Sequence, residues 1–540
     1  MTSIARFFAI GVYFFGESML NTLEAQTSGM FSNSWTQFTS PAFILQNIPG
    51  FPYITYQNRI TIYEELAAWY SGEKLIKFDV DQATGRKVEL YPLRINPLKS
   101  TAEKHVTVLL GESMGAVEAG GLPIKLNVIG KTTRNKAREK ELEKIISQVL
   151  LDSNLGAAIQ QTATESQYLG GSVYCVDWIP ADGKLRISTV KPQEFIGEVY
   201  GRDNWRLRNA WIVRAISYDE AKSLGVDLGE NTAYWYTEHW TEDEYAIRVN
   251  EVVLKVGDFS LEGKNVFGVI PIVYIPHIRT NGFYGDSMIT DTVKGLIKEM
   301  NLRMADIGDA IAEDSHSLTY IKNVRGAVQV KKVGGVLTVY DLGSRQSIGT
   351  SEPDPAMESL QRQSASSPMI DFSDSLMKAY RREVNHPAVA DGEDEGSQRS
   401  ALTLTTRMWP LLSHVKMERQ NFMDGFRVLF GIALKMMAVK NIAGITEADT
   451  DVNIFVAWSP MLGKDRELLL QEIAIRREHN IGSQQHMIEL LEDVQDVDEE
   501  IAMIQEEEKV SEQLKSASKS STQAKPQTTA QKQSKSEKKN

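Results

Sequence analysis

Cysteine is nearly absent: Cys175 is the only one in 540 residues, so no intrachain disulfide framework exists and a reducing compartment suits the chain. Positive charge is also in short supply. With 59 Lys and Arg against 71 acids, a net charge of −12 and a pI near 5.4, whole-molecule charge does not grip nucleic acid. No apolar run reaches the ~20 residues that a membrane-spanning helix needs. Arg6 followed by FFAIGVYFF has the order of a signal peptide, but the run is short, rich in aromatics, closed by Glu17 and followed by no nearby small-x-small site. For residues 1–50 the expectation is an arm that packs on its own or a neighbouring subunit, with no membrane as partner.

Enzyme signatures are missing too. Gly130-Lys131-Thr132 mimics the end of a phosphate-binding loop, yet the glycine required five residues earlier is Lys125, which cannot make the turn that aims amides at phosphate. The histidines (His105, His239, His277, His316, His386, His414, His479 and His486) are scattered. They form no i, i+4 histidine pair and have no cysteine partners, so no zinc site is expected. No nucleophile elbow and no dinucleotide glycine pattern occur.

What is present is organised around residues 269–315. A Pro-bounded strand (270–275) and a turn at Asn281-Gly282 lead into a helix expected from Asp286, whose carboxylate can cap free amides, to Ser315, roughly 45 Å at ~1.5 Å per residue. Ile289, Val293, Leu296, Met300, Met304, Ile307 and Ile311 fall on one seam. Glu299, Asp306, Asp309, Glu313 and Asp314 decorate the other faces.

At this length two or more packed units are expected, and 42% hydrophobic content is enough to build them. Upstream, helices are predicted over 60–70, ending at Ser71-Gly72, and over 98–110, 133–151 and 155–169, the last stopped by Gly170-Gly171, with a strand over 91–96. A hairpin (172–179 and 184–190) and an antiparallel meander (207–216, 233–240 and 245–254) follow, rich in Tyr and Trp. Such aromatics can stack bases. A half-buried sheet face explains them more simply.

Beyond 315, the runs 328–333 and 336–340 form a hairpin framed by Val328 and Val336, with Gly334 and Gly335 supplying positive φ. Helical sequence resumes after Pro353-Asp354-Pro355, breaks around 364–368 and runs over 370–384, so a small β module sits between two long helices. Residues 385–400 hold four acids and no apolar period, the pattern of an exposed acidic loop. A calcium loop would need one-three-five spacing and a distal glutamate, both missing. A very long helix over 401–439, bent by Pro410, precedes a strand at 451–458. Helices are then predicted over 465–479, 484–492 and 496–510, with a stop at Gly482 and a cap at Ser483. Residues 511–540 carry seven lysines against two glutamates, net +5, and read as a disordered basic tail that touches nucleic acid weakly or has no partner.

In order and spacing, several pieces together resemble the portal proteins, the head-to-tail connectors of tailed double-stranded-DNA bacteriophages, in their siphophage-like form. They are Trp69-Tyr70-Ser71-Gly72, Arg94-Ile95-Asn96-Pro97, Leu110-Gly111-Glu112, ATESQYLGGSVY (163–174), Ile270-Pro271-Ile272-Val273, Tyr284-Gly285-Asp286-Ser287 and Asn301. Gly482-Ser483, Asp496-Val497-Asp498-Glu499-Glu500 and the acids up to Glu508 complete the series, which runs over about residues 60–510. The resemblance implies an α+β portal fold. Its parts would be an arm (1–50), an α/β wing (51–285, completed by a kinked helix and strand at 400–460), stem helices (286–315 and 356–384), a β-containing clip (316–355), a tunnel loop (385–399), a helical crown (461–510) and the basic tail (511–540). It implies a non-enzymatic homo-oligomer, typically of twelve subunits, at a capsid vertex of the virion after assembly in the host cytoplasm; from the residues themselves no cofactor and no metal are expected. The implied partners are double-stranded DNA passing without sequence specificity, the terminase motor, major capsid and scaffolding proteins, and head-completion or tail adaptor proteins.

The residues agree with a conduit. DNA carries about one charge per 1.7 Å, so a basic bore would hold it by many simultaneous contacts, whereas an acidic one keeps a layer of water and counterions between wall and duplex. Asp391, Glu393, Asp394 and Glu395 are expected to face the channel, with Asp306 and Asp309 as second candidates. Solvation or ion pairing between subunits accounts for the two helix acids equally well. A non-channel capsid scaffold or adaptor, and a nucleotide-hydrolysing packaging component, are the other readings the sequence leaves open.

Overall fold

The computed structural model describes residues 41–510 except 76–77, 81–86, 90–93, 112–123, 132–134, 180–181, 202, 231, 257–258, 316–317, 323–327, 334–335, 342–355, 361–365, 394–400, 462–465, 480, 492–499 and 508. The chain is α+β and divides into two units, Met1–Met461 and Leu462–Asn540. The expectations for residues 1–40 and for the basic tail lie outside the described residues. Helices are numbered in chain order: α1 Pro41–Asn47, α2 Tyr53–Ser71, α3 Leu98–Leu110, α4 Lys136–Asp152, α5 Leu155–Leu169 and α6 Tyr218–Ser223. They continue with α7 Asp291–Ser315, α8 Ser366–Glu383, α9 Ala401–Lys440, α10 Arg466–Glu478 and α11 Gln484–Leu491.

The core of the first unit is a three-stranded antiparallel sheet, ordered Ile272–Pro276, Gly171–Ile179, Lys184–Val190. The 40-residue α9 lies against it, burying Phe422, Phe426 and Phe430. Gly425 makes that approach possible, because a Cβ there would fall 2.4 Å from Ile275 Cγ1. On the sheet's other flank Val173, Cys175, Ile272 and Tyr274 share a core with Phe195, Ala210 and Ile212 of a six-stranded antiparallel meander. The meander's aromatics are packing groups: Trp211, 1% exposed, stacks on His239 at 3.8 Å, and Trp240 stacks on Tyr245.

Two glycine-bearing motifs meet where α5 ends. Gly170 caps the helix at φ +88°, and its carbonyl lies where a Cβ on Gly285 would come within 2.5 Å of it. Gly171 in turn has no room for a Cβ beside the Tyr274 hydroxyl. The pairs Gly170-Gly171 and Tyr284-Gly285 therefore mark one close crossing of two chains.

Helix α7 buries Val293, Ile297, Met300 and Ile307, and α8 returns beside it with Tyr380 and Val384 in the same core. Each such side chain contributes about 1.5–3 kcal/mol on burial. Between them, Leu318–Lys322 pairs with Ala356–Leu360, and inside that ladder lies the hairpin Val328–Val333 with Val336–Asp341. Gly334 and Gly335 lie outside the described residues.

Several expectations are corrected. The helix starts at Asp291, not Asp286: the Asp286 amide bonds the Ile278 carbonyl, and the cap is Thr290, whose hydroxyl accepts from the Val293 amide at 3.3 Å. The seam uses Ile297, buried, with Leu296 only partly covered and Ile311 exposed. Residues 356–360 are a strand rather than resumed helix, because the ladder to Leu318–Lys322 outweighs the helical propensity of AMESL. Residues 94–97 are irregular, not strand, since Asn301 takes both the amide and the carbonyl of Ile95. The run 245–254 breaks at Asn250, φ +54°, into Glu244–Val249 and Val252–Val253.

In the second unit Gly482, φ +99°, separates α10 from α11, and the Ser483 hydroxyl accepts from the His486 amide at 3.2 Å. Residues 500–507 are helical. Among the described residues no helix is long and apolar enough to cross a membrane.

Candidate functional site

The acidic loop begins as an ordered structure. Asn385, φ +53°, ends α8; Pro387 opens a single turn, Ala388–Asp391, and Gly392 at φ +78° closes it. Asp391 is held inside this frame. It accepts from Lys104 of α3, lies 3.0 Å from the Arg381 guanidinium and 2.9 Å from His386 Nε2. Burial works against its charge, but the hydrogen bonds from Lys104 and His386 outweigh it and hold the carboxyl below its usual range. Glu393 is exposed and takes both Arg381 nitrogens at 2.7 Å, which lowers its pKa as well. Asp394 and Glu395 lie outside the described residues.

On α7, Asp306 bonds Arg303 at 2.8 Å, and Arg303 also holds Glu299, so this acid is neutralised within its own helix. Asp309 is exposed. The six predicted channel acids thus fall into three kinds: Asp391, Glu393 and Asp306 paired with cations of the same chain, Asp309 open to solvent, and the two beyond the described residues. Val328 and Val336 sit on the nested hairpin of the β insert.

Beneath the acidic loop lies a polar junction that the sequence reading did not anticipate. His105 of α3, His277 after the sheet strand, His386 of the loop, and His414 and Glu418 of α9 are all buried. The His105 ring stacks on His386 at 5.5 Å and meets His414 edge-on at 5.7 Å; His277 meets His414 at 5.6 Å. Glu418, 1% exposed, is 2.5 Å from His277 Nε2 and 3.1 Å from His414 Nε2, and accepts from the Gln167 amide at 3.0 Å on both oxygens. The other nitrogen of His277 faces the Asp286 carbonyl at 3.0 Å. With oxygen acceptors at both nitrogens, the ring satisfies both contacts only as an imidazolium. Burial opposes that charge, but Glu418 outweighs it and raises the His277 pKa; in return the two histidines keep Glu418 ionised despite its burial. His105 has no such partner, and burial pushes it down to about 3.

The residues next to Glu418 extend the junction. Arg419 donates to the Leu109 and Val108 carbonyls at the end of α3 and to Ser459, while Asn421 donates to the His277 carbonyl and accepts from Arg279. One stretch of α9 therefore fixes α3, α5 and the strand end. The only local trace of this in the sequence was His414 and Glu418, four residues apart on one helix face.

The resemblance motifs find physical roles in the same region. Asn301, fully buried, clamps Ile95 with bonds of 2.7 and 2.9 Å, and Asn96 donates to the carbonyls of Trp69 and Tyr70 at the end of α2. The glycine-lysine turn is built for something other than phosphate. The Val128 and Gly130 amides donate to Glu143 and Glu139 of α4, and Lys131 lies 3.8 Å from Asp451.

Comparison with known proteins returns no match among the curated ones. The family model described as phage portal protein, SPP1 Gp6-like, matches residues 128–514, which take in the sheet, the α7–α8 hairpin with its insert, the polar junction apart from His105, and the described residues of the second unit. With more than half of the chain matched, and with the motif residues Asn301, Gly170 and Gly285 in contacts that tie separate elements together, the chain belongs to the phage portal protein family of the SPP1 Gp6-like type.

Proposed function

We propose that the chain is one subunit of a ring-shaped channel at a single capsid vertex, through which double-stranded DNA is packaged, retained and ejected and onto which the tail is joined. The observation that carries this reading is the α7–α8 hairpin with a β insert between its helices, in a chain of the portal family. In this reading the hairpin is the stem, the insert is the clip that meets the terminase motor and later the head-completion or tail adaptors, and residues 385–399 form the tunnel loop. The sheet region with α9 is the wing among major capsid and scaffolding proteins, and α10 onward is the crown. Ile311, Ile370 and Phe372 are exposed on the hairpin, which supports side-by-side packing of neighbouring stems.

The chain has a structural role here, and a separate motor supplies the work. Taken amides at Val128 and Gly130 and a paired Lys131 favour this over nucleotide hydrolysis. The test is an image of the purified assembly down its symmetry axis. A closed ring, typically twelve-fold, with an open bore is the expected result. A plugged bore, or a globular monomer under all conditions, overturns the proposal in favour of a non-channel scaffold or adaptor.

A further inference from the structure

We propose that His105, His414 and Glu418 form a binding site for a divalent transition metal, with zinc as the ion that suits its donors best. One donor atom from each of the three lies within 4.8 Å of the others, and all three residues are buried. Two imidazole nitrogens with one carboxylate oxygen match a borderline cation such as zinc and do not match the all-oxygen preference of calcium or magnesium.

The second observation is the state of His105. At 1% exposure, neither of its ring nitrogens has a hydrogen-bond partner among the described residues. A buried polar atom left so is destabilising, and a metal bond to the ring satisfies one of the two nitrogens. The other two donors come from adjacent turns of α9, a rigid element, and their oxygen and nitrogen already sit 3.1 Å apart.

Supporting groups are in place. Gln167 and His277 donate to Glu418 and fix its orientation, the part played by outer partners of metal ligands. A cleft of about 280 Å³ lined by His277, His414, Met417 and Glu418 opens onto two of the three donor residues, His414 and Glu418. Glu418 meets part of the cation's charge, and protons released on binding offset more of it. A metal there would tie α3 to α9 directly, beneath the loop that carries Asp391.

The test uses the full chain as purified, stripped with chelator and then dialysed against zinc or cobalt. One equivalent of zinc per subunit is expected to remain, and cobalt is expected to give the strong visible absorption of a four-coordinate site. X-ray absorption on the zinc-loaded wild type should show two imidazoles and a carboxylate oxygen at roughly 2.0–2.2 Å. His105→Phe keeps the ring volume and breaks no hydrogen bond, so it should fold while zinc affinity falls roughly tenfold or more. A wild type that retains no metal overturns the proposal. So does a His105→Phe variant that keeps the cobalt band, or a signal removed instead by His479→Ala with His486→Ala, which would show adventitious surface binding. Should His105→Phe fail to fold, the wild-type absorption spectrum decides alone, because a shell without two imidazoles rejects the site.

Discussion

Gln167 and Glu418, 251 positions apart, meet where the Gln167 amide lies 3.0 Å from both oxygens of a carboxylate that is 1% exposed. The contact joins α5 to α9 inside the first unit, and it works only while Glu418 is charged and its histidine partners stay near. Removing one member of a buried ion pair strands the other, at a cost of about 3–5 kcal/mol. Glu418→Ala is therefore expected to lower the denaturation midpoint of the full chain sharply, and Glu418→Gln by less, because it keeps the volume and part of the hydrogen bonding. Equal midpoints for wild type and Glu418→Ala would show that the pair contributes nothing.

The close crossing of Gly170 and Gly285 gives a sharper steric test. A Cβ on Gly285 would come 2.5 Å from the Gly170 carbonyl and 2.8 Å from Pro276, so the backbone itself must move. Gly285→Ala is expected to cost about 2–3 kcal/mol, in the range of overpacked cores. Gly183, φ +60° with nothing within 4 Å, isolates the conformational part, so Gly183→Ala should cost only about 1 kcal/mol. Thermal midpoints of the two variants compare the effects directly.

Much of this architecture was legible in the residues. Gly170 ends α5 where the glycine pair predicted, and the hairpin Gly171–Ile179 with Lys184–Val190 follows the alternation. The misses have physical causes. Asp286 looks like a helix cap, but its amide is taken by Ile278 and its carbonyl by His277, contacts that exist only once the sheet has formed. Residues 356–360 carry helix formers and became a strand through antiparallel pairing with Leu318–Lys322, in a register from Leu318↔Leu360 to Lys322↔Ala356 that no local propensity encodes. The histidine junction draws on α3, the strand end, the loop and α9. Spacing along a chain cannot reveal such a meeting, and only His414 with Glu418 left a local mark.

Asn301 is a case where one side chain replaces secondary structure. Its amide group, itself fully buried, donates to the Ile95 and Ile297 carbonyls and accepts from the Ile95 amide. Asn301→Leu conserves the shape but leaves the Ile95 amide and carbonyl without partners, at about 1–3 kcal/mol each. Loss of roughly 3 kcal/mol is expected, together with faster hydrogen exchange at Ile95. Unchanged exchange there would mean that residues 94–97 are held by something else.

Acid stability has an identifiable contributor in Asp449. Arg138 donates to both of its oxygens at 2.8 and 2.7 Å, Thr446 adds two more bonds, and these hold the carboxyl far below its ordinary value of 3.8. A depressed folded pKa stabilises the chain above the unfolded value, and that contribution is withdrawn as pH falls through it toward the folded one. Asp449→Asn should cost about 1–2 kcal/mol at neutral pH and flatten the loss of stability between about pH 4 and about pH 2. Melting curves across that range check it; parallel acid limbs for both proteins would rule it out.

The channel proposal can be tested by separating acids that are already neutralised from those that are not. Asp306 and Glu393 bond arginines of their own chain, so charge removal there frees a cation as well as deleting an anion. Asp309 is exposed, and Asp394 and Glu395 lie in the same acidic run as Asp391. In a bore that repels phosphate, Asp309→Lys and Glu395→Lys turn sites of repulsion into contacts, repeated in every subunit. Each contact made adds about 0.9 to the slope of log affinity against log salt. The purified ring should then retain linear duplex at low salt and release it steeply as salt rises, while particles carrying the variant package less DNA. Asp306→Asn with Arg303→Gln removes a balanced pair and should leave both readouts near wild type. If the lysine variants bind duplex no better than wild type, these positions do not line the path of the DNA.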